Sequence, residues 1–223
     1  MLASSPRKEQ NGSLSTLFQI ATNGLALYYV AMWMSRTELE SVGFKSLGSN
    51  CLVDSRTQIY GPENISLGSN VRVDAFSTIS SQGGLIEIGD HVHLATGVLI
   101  YGLGGVSLAS GSGLAAGVRV LSATDDFMWG NLTNPTMPDE FRSVKSAPVV
   151  LLEHAIVGVN SVVLPGSTIG FGAAVGALTL VNGPVQDHEI VSGNPMRVVG
   201  RRNSKRLLER HAEFLRFVKD HVD

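Results

Sequence analysis

Along most of the chain, aliphatic residues return at every sixth position, a period that belongs to neither a helix nor an ordinary strand. The longest unbroken run is Leu151, Val157, Val163, Ile169, Val175 and Val181. Upstream the same step comes in triplets: Leu47, Val53, Ile59; Leu67, Val73, Ile79; Ile88, Leu94, Ile100; and Leu108, Leu114, Val120. Four residues after these aliphatics stand small or β-branched side chains, among them Cys51, Thr57, Val71, Ser77, Ala155, Ser161 and Ser167. The position directly after each aliphatic is most often Gly, Ala or Asp. One aliphatic filling the interior from each of three short strands, with a small residue where the chain turns, predicts an all-β solenoid. It is a parallel β-helix of about six coils, which backbone pairing at about 4.8 Å stacks into a prism roughly 25 to 30 Å long.

Insertions fall at one phase of this repeat, after Ile59, Ile79 and Ile100, and at greatest length after Val120. They therefore leave the prism from one corner. The pattern divides the chain into an N-terminal helical segment at 1–43, the β-helix at 44–202 with a long loop at 121–150, and a C-terminal helix at 203–223. The C-terminal segment puts Leu207, Leu208, Phe214, Leu215 and Val218 on one side of a helix. Residues 10–35 carry no charge, and Leu25 to Met34 is apolar on every face. Packing against the first coil is one expectation for this segment, and attachment of residues 14–35 to a membrane surface is the other.

Composition narrows the chemistry. With 17 basic and 19 acidic residues the chain lacks the cationic footprint of a nucleic-acid binder. A single cysteine, Cys51, leaves no disulfide framework and no cysteine-based zinc site, which fits a cytoplasmic setting, at the inner face of the membrane if the N-terminal segment attaches there. No metal is expected. The 25 glycines match a fold of many tight turns.

With the coils, the single long loop and the closing segment Ile190 to Val199 in view, the chain resembles the hexapeptide-repeat acyltransferases. The likeness is greatest to the galactoside, maltose and polysaccharide O-acetyltransferases. Its most specific stretches are Val157-Gly-Val-Asn-Ser-Val-Val-Leu-Pro-Gly-Ser-Thr-Ile-Gly170 and Ser192-Gly-Asn-Pro-Met-Arg197. The resemblance implies a left-handed helix, a homotrimer, and active sites in clefts between neighbouring prisms, closed by the long loop. It also implies acetyl-CoA as acyl donor, running along the C-terminal coils, with Gly158, Ala177, Arg197 and Arg201 as donor-binding candidates.

Such enzymes usually carry a histidine in the long loop as general base. This loop has none, and the stretch Val118 to Phe127 places Asp125 in that position with Asp126 directly after it. A carboxylate with a pKa of about 4 is a weak base for a hydroxyl unless burial or a neighbouring carboxylate raises it. His154, opening the fifth coil, is the alternative base, and Asn131 and Asn134 are candidate acceptor-binding residues in the loop. The function implied is O-acetylation of a sugar in surface polysaccharide assembly. The alternative is N-acetylation of a nucleotide-linked amino sugar, because a free amine is already nucleophilic and needs orientation more than a base. Two further alternatives are a zinc site using His91 and His93, and a noncatalytic assembly module.

Overall fold

The computed structural model describes residues 32–221. The uncharged segment therefore falls mostly outside the described residues. The helix that is described near the N-terminus is Arg36–Val42, later than the apolar run: Ser35 caps it and Glu38 returns the bond to the Ser35 backbone. Gly43, at φ 85°, ends it. Leu39 from this helix is buried against the first coil. Among the described residues no helix is long and apolar enough to cross a membrane.

The remainder winds into a three-faced parallel solenoid. The first face runs from Ser46–Leu47 to Thr168–Ile169, the second from Leu52–Val53 to Ala174–Val175, and the third from Gln58–Tyr60 to Leu180–Val181. Each strand pairs in register with its counterpart one coil on, so that Val73 lies on Leu94 and Leu94 on Leu114. The sixth-position aliphatics thereby form three interior columns, nearly all of them excluded from solvent. Ser77, Ser112, Ser161 and Ser167 turn inward at the corners and are buried as well.

The structure adds a partial seventh turn to the six coils of the repeat. Val185 bridges to Ile169, and Glu189–Ser192 pairs with the second face before Arg197–Arg201 returns antiparallel. Val185 follows Val181 by four positions instead of six, across Asn182-Gly183-Pro184, so the period breaks where this turn begins.

The corner between the first and second faces carries a column of left-handed residues: Asn50, Asn70, His91, Gly111, His154, Gly172 and His188. Asn, His and Gly are the residues that tolerate this conformation best, which accounts for the spacing of the coil histidines. Gly111 is required for a second reason, since a Cβ there would lie 2.6 Å from the His154 ring. The C-terminal helix Ser204–His221 runs back along this corner. Its inward stripe is Leu207, His211, Phe214 and Val218, whereas Leu208 and Leu215 are exposed, which corrects the apolar face expected from the sequence. A histidine substitutes for an aliphatic in that stripe because the surface it meets is itself aromatic.

Candidate active site

The long loop leaves from the third-to-first corner after Arg119–Leu121 and begins as a two-stranded ribbon, Ala123–Asp125 against Val144–Ser146. Asp126 is buried at its base and accepts hydrogen bonds from the Met128, Trp129 and Asn131 backbone N–H groups and from Asn131 Nδ2, at 2.7 to 3.1 Å. These donors hold its carboxyl far below the usual carboxylate range, against the opposing effect of burial. Asp126 is therefore a structural anion that ties the loop, which corrects its candidacy as a base: its acceptor sites are filled and its affinity for a proton is reduced. Asn131 acts with it, and the Asn134 side chain is engaged with Thr136, so both asparagines organise the loop itself.

Asp125 is different. It is partly exposed, with Oδ1 3.4 Å from Arg142 Nη2 and Oδ2 accepting from the Asn134 N–H at 3.2 Å. Both contacts are long, leaving the carboxylate available to another donor. Beyond it the loop displays Phe127, Met128, Trp129, Leu132 and Phe141 to solvent, with Lys145 Nζ 5.1 Å from the Trp129 ring centre.

His154 does not approach Asp125. It stands on the first-to-second corner, where its Nε2 is 2.7 Å from His211 Nδ1 and its ring meets Phe171 edge-on. Arg202 Nη1 donates to the carbonyl oxygens of His154 and Gly172, pinning the root of the C-terminal helix to the same place. Burial lowers the His154 pKa, helped by His211 and Arg202 and opposed by Glu153. A histidine whose folded pKa is depressed contributes stability that is present above its ordinary pKa of about 6.5 and is lost as pH falls through the folded value. Acidification from pH 7.5 to 5.5 is thus expected to raise hydrogen exchange in 204–221 selectively, and a His154→Asn variant, which keeps the left-handed corner but removes the buried titrating ring, should lose that pH dependence.

The donor-binding candidates separate into two groups. Gly158 and Ala177 are stacked on the second-to-third corner: a Cβ on Gly158 would lie 2.6 Å from Ala177 N. The tail motif closes the same corner, since Ser192 Oγ lies 2.8 Å from where a Gly176 Cβ would be, and Arg197, paired with Ser192, is exposed there. Arg201 lies four residues further along that strand, about 13 Å away. It is paired with Glu189 at 3.6 Å and donates to the Asp187 carbonyl, so the structure places it apart from the other three candidates.

His91 and His93 diverge, one toward Asn70 and Phe214 and the other toward Asp74. Among the described residues no cluster of three or more His, Cys, Asp or Glu side chains could hold a metal ion.

With this geometry in place, likeness to known proteins becomes informative. No protein-family model matches the sequence. A dTDP-4-amino-4,6-dideoxy-D-glucose acyltransferase of Escherichia coli is 33% identical over 182 residues, spanning 82% of this chain and 94% of the relative. The chain belongs to the hexapeptide-repeat acyltransferase family. It is an acyltransferase, and its prism is the left-handed β-helix of that family. AntD, an N-acyltransferase from Bacillus cereus crystallised with dTDP and 3-hydroxybutyryl-CoA, superimposes with a TM-score of 0.80 at 34% identity. That match covers 85% of this chain and 100% of AntD. A variant of AntD has also been crystallised with dTDP-4-amino-4,6-dideoxyglucose and coenzyme A. WbbJ of E. coli K12, described as a lipopolysaccharide biosynthesis O-acetyl transferase, is more distant, 27% identical over 69% of this chain and 76% of its own.

Proposed function

We propose that this acyltransferase moves the acyl group of an acyl-CoA onto the amine of a nucleotide-linked amino sugar, of the dTDP-4-amino-4,6-dideoxyglucose type. The observation that carries this reading is that the two relatives matched over nearly their whole length, at about a third identity, both have names that specify such chemistry. It displaces O-acetylation as the leading reading, since the O-acetyl transferase relative is matched at lower identity and over less of its length. The loop chemistry agrees: its buried carboxylate is a structural anion and it contains no histidine, which suits a nucleophile that needs no strong base.

Donor binding fits the second-to-third corner of the last coils. Gly158, Gly176 and Ala177 place no large side chain over the backbone, the Ala177 N–H has no partner among the described residues, and Arg197 is exposed at the end of the row. A pantetheine arm would hydrogen-bond to that backbone, and Arg197 would meet a phosphate. Asp125 and this corner lie on opposite edges of the third face, so closing one site from both calls for a second copy of the chain. A homotrimer supplies it, with the loop of one protomer laid over the donor corner of the next. The exposed Phe127, Trp129 and Phe141 are then covered, as an apolar patch of that kind requires. In this arrangement Asp125 orients the acceptor and is not asked to deprotonate it.

The decisive assay follows CoA release from acetyl-CoA and 3-hydroxybutyryl-CoA with dTDP-4-amino-4,6-dideoxyglucose and, in parallel, with hydroxyl acceptors. Turnover confined to the amine, and an acyl-CoA affinity reduced about tenfold by Arg197→Ala, is the expected result. Turnover confined to hydroxyl acceptors would overturn the amine reading.

A further inference from the structure

The second face of the prism carries a polar cluster at its N-terminal end that neither the loop nor the donor corner uses. Arg72, His93 and Gly113 are outward-facing and in register on three consecutive coils. Asp74 follows the Arg72–Val73 strand at the point where the second-to-third corner begins. Its Oδ1 accepts from Arg72 Nε at 2.7 Å and its Oδ2 is 2.8 Å from His93 Nε2. The Arg72 guanidinium also lies 5.3 Å from the Trp33 ring centre, which fixes the far side of the group.

These contacts orient the imidazole. Partial burial works to raise the Asp74 pKa, but the hydrogen bonds from Arg72 and His93 outweigh it and hold the carboxyl below its ordinary value. An ionised carboxylate only accepts, so the proton shared with it belongs to His93 Nε2. In the neutral ring it is then Nδ1 that carries the free lone pair, the arrangement in which a carboxylate orients a histidine to act as a base. Among the described residues His93 is the one histidine bound to a carboxylate. Of the histidines in the corner column, His154 and His91 meet the C-terminal helix at His211 and Phe214, and His188 packs edge-on against Phe171.

The surroundings leave room for a reactant. The His93 side chain is half exposed, and its neighbour on the next coil is Gly113, where a Cβ would meet nothing nearer than the His93 carbonyl oxygen at 3.8 Å. The charged groups that face the ring are Asp74 and, through it, Arg72, and the coil on the other side contributes glycine. Asp74 also belongs to the column of corner residues that continues through Ala95 and Ala115 to Gly158 and Gly176. The donor corner at Gly158 therefore lies two coils from His93, about 10 Å along the prism. In that column the residues between Gly158 and Asp74 are Ala115 and Ala95, small side chains beside the notch at Gly113.

We propose that His93 is the proton acceptor in acyl transfer, with Asp74 as the positioning residue that fixes its tautomer; this rests on the amino-sugar reading above. The neutral amine of the acceptor attacks the thioester carbonyl carbon, forming the C–N bond as the carbonyl electron pair moves to oxygen. The N–H proton passes to His93 Nδ1. Collapse of the adduct restores the C=O bond and breaks the C–S bond, and the departing thiolate takes the proton from the imidazolium. The products are the amide and free CoA, with His93 neutral again.

The test measures CoA release with acetyl-CoA and dTDP-4-amino-4,6-dideoxyglucose across pH for the wild type, His93→Gln, Asp74→Asn and His93→Gly. For the wild type, both the amine and the imidazole must be neutral, so log kcat/KM is expected to rise with a limiting acid-side slope of about two. His93→Gln should lower kcat/KM about a hundredfold and reduce that slope to about one, with the KM for acetyl-CoA and the melting temperature unchanged. Asp74→Asn should give an intermediate loss, and added imidazole should restore part of the rate to His93→Gly but not to the wild type. A His93→Gln enzyme with the wild-type rate and slope overturns the assignment while leaving the amino-sugar reading intact. A wild type inert toward every amino-sugar acceptor overturns both.

Discussion

Replacing Ile100 by alanine is expected to cost about 3 to 4 kcal/mol of folding stability, enough to remove a large part of the margin of a chain of this size. Ile100 sits at the middle of the prism, fully excluded from solvent and in register between Ile79 and Val120. The interior is one side chain deep from each face, so no second layer can move in to fill a void. The coil spacing cannot shrink either, because the backbone bonds on both sides of the strand fix it. Relaxation being blocked, the cost falls in the upper half of the range seen for such truncations. Urea denaturation of Ile100→Ala beside an outward-facing control, Tyr101→Ala, checks this. The control should change stability by less than about 0.5 kcal/mol, and a similar loss at both sites would mean that the prism interior is not the source of stability.

The Asp126→Asn variant is expected to lose about a hundredfold in kcat/KM while its melting temperature moves little. Asp126 accepts from four donors, and the amide that replaces it retains one acceptor oxygen and presents an NH₂ group to N–H groups that already point at it. The loop is then misplaced, whereas the coils, which take nothing from it, remain intact. The pH dependence follows in sign: a carboxyl whose pKa is depressed on folding contributes order that is fully present above its unfolded value of about 4, and loses it only as pH falls through the lower folded value. The wild-type loop should therefore stay ordered throughout mildly acidic conditions. Trp129 fluorescence at pH 5 and pH 7, identical in the wild type and shifted in the variant, tests this separately from activity.

The sixth-position aliphatics revealed the solenoid because a prism face repeats its requirement at every coil, and each of Leu47, Val53 and Ile59 meets the same constraint as its successor. The seventh turn escaped the same reading because Asn182-Gly183-Pro184 shortens the step, and a register argument cannot see past a break in register. The loop carboxylates were legible as a pair but not as two different objects. What separates them is how many backbone N–H groups converge on Asp126 and how few on Asp125, and that depends on how residues 127–134 curl. His154 invited a chemical reading that the fold reassigns: a left-handed corner accepts Asn, His or Gly, and the neighbouring positions are filled by all three. His93 was the opposite case. Nothing in His91-Val92-His93 distinguishes the two histidines, and only the register that sets Arg72 beside His93 brings Asp74 within reach of one and not the other.

The reversal at Arg197–Arg201 has a bearing on how copies of this molecule avoid one another. A stack of identical parallel rungs ends in a row of unpaired peptide groups, and such a surface accepts any further rung of the same spacing, including one from another molecule. Here the last rung of the second face, Glu189–Ser192, is answered by a strand of opposite direction, and the pairing between the two shifts register between Ile190 and Val191. The next strand in line thus meets neither the polarity nor the spacing it would need to continue the pile, and growth by end-to-end addition stops there on that face. A chain ending at Met196 would keep its coils but lose this terminator, and its characteristic failure would be fibrous self-assembly more than unfolding.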